Sequence, residues 1–179
     1  FTTFLRGVLF NGKEDDLLSF LKRIKAPVIE TRPVPAVWVA AGNCLIGDAK
    51  KTKNSMAVTA LSRYGFNQLV GYTVPSWYGK GGWGTLGLLF SNHDASSLAE
   101  AWYLNNQFIL DETMIRFPKL MDVHFNSPDI NGIKNDPDFA RGMNSAGYGM
   151  GKDQLGLIHD RDTVAFYGDP AWTARLDES

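Results

Sequence analysis

The stretch AVWVAAGNCLIGDA, residues 36 to 49, carries the only cysteine of the chain, and its reading decides the fold. Ala36 to Ala41 are continuously apolar rather than alternating, the pattern of a short strand covered on both faces. Gly42 and Gly47 bracket the residues that follow, so Cys44 comes directly after the strand and ahead of a helix. That helix can be capped by Asn54 or Ser55, has its apolar stripe at Ala57, Ala60 and Leu61, and stops at Gly65. FNQLVGYT, residues 66 to 73, then reads as a second buried strand. Strand, turn, helix, strand is the order of a parallel βαβ unit, whose crossover is right-handed.

On the amino-terminal side, APVIETRPVP (residues 26–35) holds three prolines and reads as a surface connector rather than a central strand. Leu17, Leu18, Leu21 and Ile24 recur at helical spacing behind acidic residues, which predicts a helix over 14–25. FTTFLRGVLF, residues 1–10, is β-prone and ends at the turn dipeptide Asn11-Gly12. On the carboxyl-terminal side, residues 74–84 (VPSWYGKGGWG) read as a glycine-rich aromatic loop, and 85–90 as the approach to a helix. Residues 94–117 form a long helical pattern with a capping signal at Asp94 and Ser96, ending before Pro118. Residues 124–139 are turn-rich, 140–162 are ambiguous because five glycines interrupt any helix, and 163–172 read as a last strand with a Gly-Asp-Pro turn.

A chain of 179 residues suits one domain, burying roughly two-thirds of its unfolded surface. Hydrophobic residues make up 44%, charged residues 21%, and the net charge is −1, which fits a globular protein and gives no electrostatic reason to expect nucleic acid or an anionic membrane. No apolar run approaches the roughly 20 residues of a membrane span. A single cysteine excludes an internal disulfide, and no CxxC or Cys/His cluster suggests zinc, so no metal or cofactor is expected. The carboxylate runs at 135–138 (NDPD) and 160–162 (DRD) lack EF-hand spacing and read as solvated loops.

Sites in open α/β sheets lie outside the carboxyl ends of the strands. Three such ends can be named: Gly42-Asn43-Cys44, Gly71-Tyr72-Thr73 and Gly168-Asp169-Pro170. A free cysteine often packs as a small hydrophobe. At a strand end it can instead be a nucleophile, provided that a base lowers its pKa and donors hold the oxyanion. At Asp169 a turn-forming role outweighs that of a cleft carboxylate.

VWVAAGNC, the helix after it, LVGYTVPSWYGKGGWG and the closing VAFYGDPAW together resemble the gingipain-type, caspase-like cysteine peptidases. The likeness covers about residues 36–90 and 163–172. It implies a caspase-like three-layer α/β sandwich, with a mostly parallel sheet and helices on both faces, as a single partial domain over 1–179. It also implies Cys44 as nucleophile, with Gly42, Asn43 and the Cys44 backbone N–H forming the oxyanion turn. Tyr72, Thr73, Ser76 and Trp77 would line the substrate pocket, Trp77 as its wall. A peptide or protein substrate and an extracellular or cell-envelope location follow from the same likeness.

The family places its catalytic histidine before the cysteine, in a His-Gly step. Here His93, His124 and His159 all lie downstream. Asn11-Gly12 stands where His-Gly can fall, so one reading is an inactive pseudo-peptidase that binds or builds. The other is that an N-terminal segment or companion chain supplies the histidine, since RGVLFNGKEDDLLSFL resembles the insertion after it and the chain opens at Phe1. The second reading is adopted. His93 is expected at a helix start, His124 beside a loop, and His159 on the surface against acidic neighbours.

Overall fold

The chain is described from a computed structural model, which covers residues 36–42, 45–49, 55–76, 78–91, 97–124, 137–149 and 151–173. The readings of residues 1–35, including the helix over 14–25, lie outside these. In chain order the elements are β1 (Ala36–Val39), α1 (Met56–Arg63), β2 (Phe66–Tyr72), α2 (Lys80–Ser91), α3 (Leu98–Arg116), a 3-10 turn (Pro118–Asp122), α4 (Pro137–Ala146), α5 (Lys152–Thr163) and β3 (Val164–Gly168). No helix among the described residues is long and apolar enough to cross a membrane.

Local chemistry sets several boundaries. The Ser55 side chain accepts from the Val58 N–H at 3.3 Å and starts α1, and Gly65, at φ +73°, takes the chain out of it. α3 opens on a capping box one residue later than expected: the Ser97 hydroxyl accepts from the Glu100 N–H, and the Glu100 carboxylate accepts from the Ser97 N–H. It ends ahead of Pro118, where a proline disfavours further helix. The NDPD run is no loop throughout, because Pro137 opens α4, where its missing N–H costs nothing.

β1 and β2 pair in parallel, with Val37 beside Gln68 and Val39 beside Val70. β3 pairs antiparallel on the other side of β2, from Gln68–Gly168 to Tyr72–Val164. The described sheet, of order β1-β2-β3, is therefore mixed. The reason is the connection: α5 runs into β3 without a loop, so β3 starts at the carboxyl end of β2 and must run back along it.

Alternating side chains cover both faces of the sheet. Val37, Val39, Val70, Tyr72, Val164 and Phe166 meet Leu89 of α2 and Leu98 and Ala101 of α3. Trp38, Leu69 and Tyr167 face Ala57 and Ala60 of α1 on the opposite side. A third cluster gathers Val74, Leu120, Val123, Phe139, Met143 and Ile158, where α4, the 3-10 turn and α5 close together.

The glycines of 74–84 and 140–162 obscured helices in the sequence. Helical glycine costs roughly 1 kcal/mol relative to alanine in intrinsic propensity, but here close packing requires it. A Cβ on Gly82 would stand 2.2 Å from the Ala41 carbonyl oxygen, and one on Gly84 2.0 Å from Asn105 Oδ1. α2 thus lies with its backbone against the end of β1 and against α3. In 140–162, Gly147 (φ +76°) leaves α4 and Gly151 caps α5, so the glycines divide two helices.

The same substitution should therefore have opposite signs within one helix. Gly82→Ala is expected to cost about 1–3 kcal/mol by overpacking. Gly87→Ala, where nothing lies within 4 Å of the new Cβ, should gain about 0.5–1 kcal/mol. Urea midpoints of the two variants check this.

Candidate functional site

The carboxyl end of β1 lies beside that of β2. The Ala40 N–H donates to the Val70 carbonyl at 2.8 Å, which prolongs the pairing past the strand. Ala41 is buried and Gly42 is exposed. Asn43 and Cys44 lie outside the described residues. Leu45 follows at φ +64°, the left-handed region that costs a non-glycine residue about 1 kcal/mol. Gly47 then clamps the chain across the end of β2. Its N–H donates to the Tyr72 carbonyl at 2.9 Å, and its carbonyl accepts from the Tyr167 hydroxyl at 2.6 Å. A Cβ on Gly47 would stand 2.4 Å from the Gly71 carbonyl oxygen, so only glycine permits this approach. The chain is thus pinned at Ala40 and at Gly47, on either side of residues 43 and 44 in the sequence.

Across from it, the segment after β2 leads to the amino terminus of α2, where a buried polar junction stands. Asp160 Oδ2 accepts from the Gly81 N–H at 2.8 Å and from the Tyr72 hydroxyl at 3.2 Å. The Tyr72 hydroxyl accepts in turn from the Gly82 N–H at 3.1 Å. His159 Nδ1 lies 3.1 Å from Asp160 Oδ1, and His159 Nε2 lies 3.1 Å from the Pro75 carbonyl oxygen, an acceptor only, so Nε2 donates. His159 and Asp160 are fully buried. Asp160 therefore caps α2 from another element, where the helix dipole favours negative charge. Burial first, then the Asp160 charge, push the Tyr72 phenol well above its usual pKa.

Outside this junction an open groove of about 500 Å³ is lined by Tyr78, Lys80, Trp83, Asn105, Phe108 and Glu112, among others. Trp83 is 62% exposed and adjoins Gly42: a Cβ there would lie 3.5 Å from its indole nitrogen. Lys80 pairs with Glu112, Glu112 with Arg116 at 2.6 Å, and Arg116 with Asp153 at 2.7 Å, a chain that links α2, α3 and α5. Hydrogen bonding from Lys80, above all, holds the Glu112 carboxyl below its ordinary range. Tyr78 donates to Asp153 at 3.2 Å, and its pKa is pushed up to about 12, by burial first and then by that bond.

Of the residues singled out in the sequence, Gly42 is at the surface of this end of the sheet, and Thr73 and Ser76 are half-buried. Tyr72 is fully buried, and its hydroxyl serves the junction. Trp77 lies outside the described residues, and Trp83, which the sequence left inside a loop, is the exposed indole beside Gly42. His159 is not on the surface but in the core. His124 is exposed, 3.4 Å from Arg161 Nη2 and 3.8 Å from Asp162 Oδ2. His93 lies outside the described residues. The DRD run belongs to α5, and Asp169 is a turn former, its side chain accepting from the Ala171 N–H at 2.9 Å. The junction itself was missed. Its signal was the adjacent His159-Asp160 pair within a helical spacing that the glycines hid.

No family model, curated protein or solved structure matches the chain.

Asp160→Asn should destabilise the fold by about 3 kcal/mol, since it leaves buried donors facing an amide. Tyr72→Phe should cost about 1 kcal/mol. The two losses should not add, because both belong to one network. The raised Tyr72 pKa means that the folded state holds the phenolic proton more tightly than the unfolded chain. Stability is then intact below the ordinary value of 10.0 and falls as pH rises beyond it. Tyr72→Phe should flatten that alkaline loss in pH-dependent unfolding curves.

Proposed function

We propose that this chain is the cysteine-bearing part of a cysteine endopeptidase, with Cys44 as the nucleophile. The observation that carries the reading is the left-handed Leu45. A strained residue, held between an exposed Gly42 and an anchored Gly47 at the end of a parallel strand pair, is a costly way to build a plain turn. Such strain persists where the surroundings over-determine it, and it gathers at functional sites. The order of motifs around it resembles that of gingipain-type, caspase-like peptidases, and a parallel strand end just before Cys44 in the sequence supports the reading.

In this mechanism an imidazole from an N-terminal segment or companion chain takes the Cys44 thiol proton. The thiolate attacks the scissile carbonyl carbon, and the oxyanion is held by backbone N–H groups, that of Cys44 included. Collapse breaks the C–N bond, and the imidazolium returns its proton to the departing amine. Water, deprotonated by the same imidazole, then hydrolyses the thioester and regenerates the thiol. The groove lined by Trp83, Tyr78 and Phe108 adjoins Gly42 and suits an apolar side chain of a peptide substrate. No metal or cofactor enters these steps.

The test is peptide hydrolysis by a preparation that contains the upstream segment or companion chain. Cys44→Ala should lower kcat/KM by about a thousandfold or more, and iodoacetamide should alkylate Cys44 rapidly near neutral pH. Hydrolysis that persists undiminished in the variant would overturn the proposal. Peptide binding without any hydrolysis would favour the pseudo-peptidase reading.

A further inference from the structure

The segment from Thr73 to Gly79 joins β2 to α2 and includes two residues, Ser76 and Trp77, assigned above to the substrate pocket. Anchors along it come from one helix. The Thr73 N–H and hydroxyl both donate to the Thr163 carbonyl, at 2.9 Å and 3.1 Å. The Pro75 carbonyl accepts from His159 Nε2. The Tyr78 ring lies over Gly156, where a Cβ would stand 2.3 Å from the ring, and its hydroxyl donates to Asp153. Thr163, His159, Gly156 and Asp153 are spaced by three or four residues, so they form one stripe on α5. The segment runs along this stripe in the opposite direction to the helix. Val74 packs against Ile158 and its neighbours between the polar anchors. Where the segment enters α2, Asp160 of the same helix receives the Gly81 N–H.

We propose that α5 is a splint for the pocket wall, and that His159 and Gly156 are positioning residues that fix Thr73–Ser76 and Tyr78–Gly79 for substrate binding. His159 holds the middle of the segment through one hydrogen bond donated by Nε2, while its Nδ1 lies 3.1 Å from Asp160 Oδ1. Gly156 leaves the space into which Tyr78 seats the far end. The described anchors at Pro75 and Tyr78 lie on α5. The consequence for catalysis rests on the peptidase reading; the splint itself does not.

The experiment is hydrogen exchange followed by mass spectrometry on the full chain, comparing 73–79 with β2. His159→Gln places an amide nitrogen where Nε2 stood and keeps the donor to Pro75, whereas His159→Asn reaches only toward Asp160. His159→Asn should speed exchange in 73–79 about tenfold with β2 unchanged, and His159→Gln should stay near wild type. Gly156→Ala, which displaces Tyr78 and leaves the junction intact, should loosen 78–79 in the same way. In the hydrolytically competent preparation, His159→Asn should raise KM about tenfold with a smaller change in kcat, and His159→Gln should restore it. Unchanged exchange in 73–79 for both His159→Asn and Gly156→Ala would overturn the splint, as would an equal rise throughout the chain. The exchange result stands whether or not Cys44 proves catalytic.

Discussion

A carboxyl group at Asp160, fully buried, sits where β2, α2 and α5 meet, and each of these elements gives it a hydrogen-bonding partner. Buried charge is costly unless it is paired and bonded on every side. Here the Gly81 N–H and the Tyr72 hydroxyl donate to one carboxyl oxygen, the His159 ring lies against the other, and the amino terminus of α2 adds a favourable dipole. The junction constrains its surroundings in turn. α2 must begin beside Asp160, so its first turn lies close to both Val164 and Ala41, and only glycine fits at Gly81 and Gly82. Gly81 and Gly82 thus answer the close packing beside the buried carboxyl.

The same logic organises the two rims of the candidate site. On one side, Gly47 is locked over Gly71, and Leu45, directly after Cys44 in the sequence, has a left-handed backbone. On the other, α5 holds the segment that leads from β2 to α2. Both rims are therefore tied to the carboxyl end of β2, one through the Tyr72 carbonyl and the other through the Tyr72 hydroxyl. Tyr72 contributes by linking them from beneath rather than by touching what lies between them.

The parallel pair was legible in the sequence because its evidence is local: a continuous apolar run, a capping serine at Ser55 and a glycine stop at Gly65. The long α3 was legible for the same reason, although its cap sits at Ser97 instead of Ser96. What stayed hidden depends on distant partners. Nothing near Gly81 or Gly82 announces that Ala41, some forty residues earlier, needs the space. Nothing near His159 announces that Pro75 lies across from it, and acidic neighbours usually mark a solvated surface. The antiparallel β3 was hidden because the α5 pattern before it was broken by glycines, so the direct passage from helix to strand could not be seen. Of the candidate site, the sequence located the strand end and the following segment but assigned Tyr72 to the cleft and passed over Trp83.

The buried His159 imidazole donates to the Pro75 carbonyl while its other nitrogen faces the Asp160 carboxyl. Long-range nitrogen–proton NMR spectra of the imidazole rings near neutral pH test it most directly. The account predicts a persistent His159 Nε2–H resonance that exchanges slowly with water and shows contacts to the Pro75 region, unlike the exposed His124 ring. A His159 ring proton lost to solvent exchange as readily as that of His124 would contradict it.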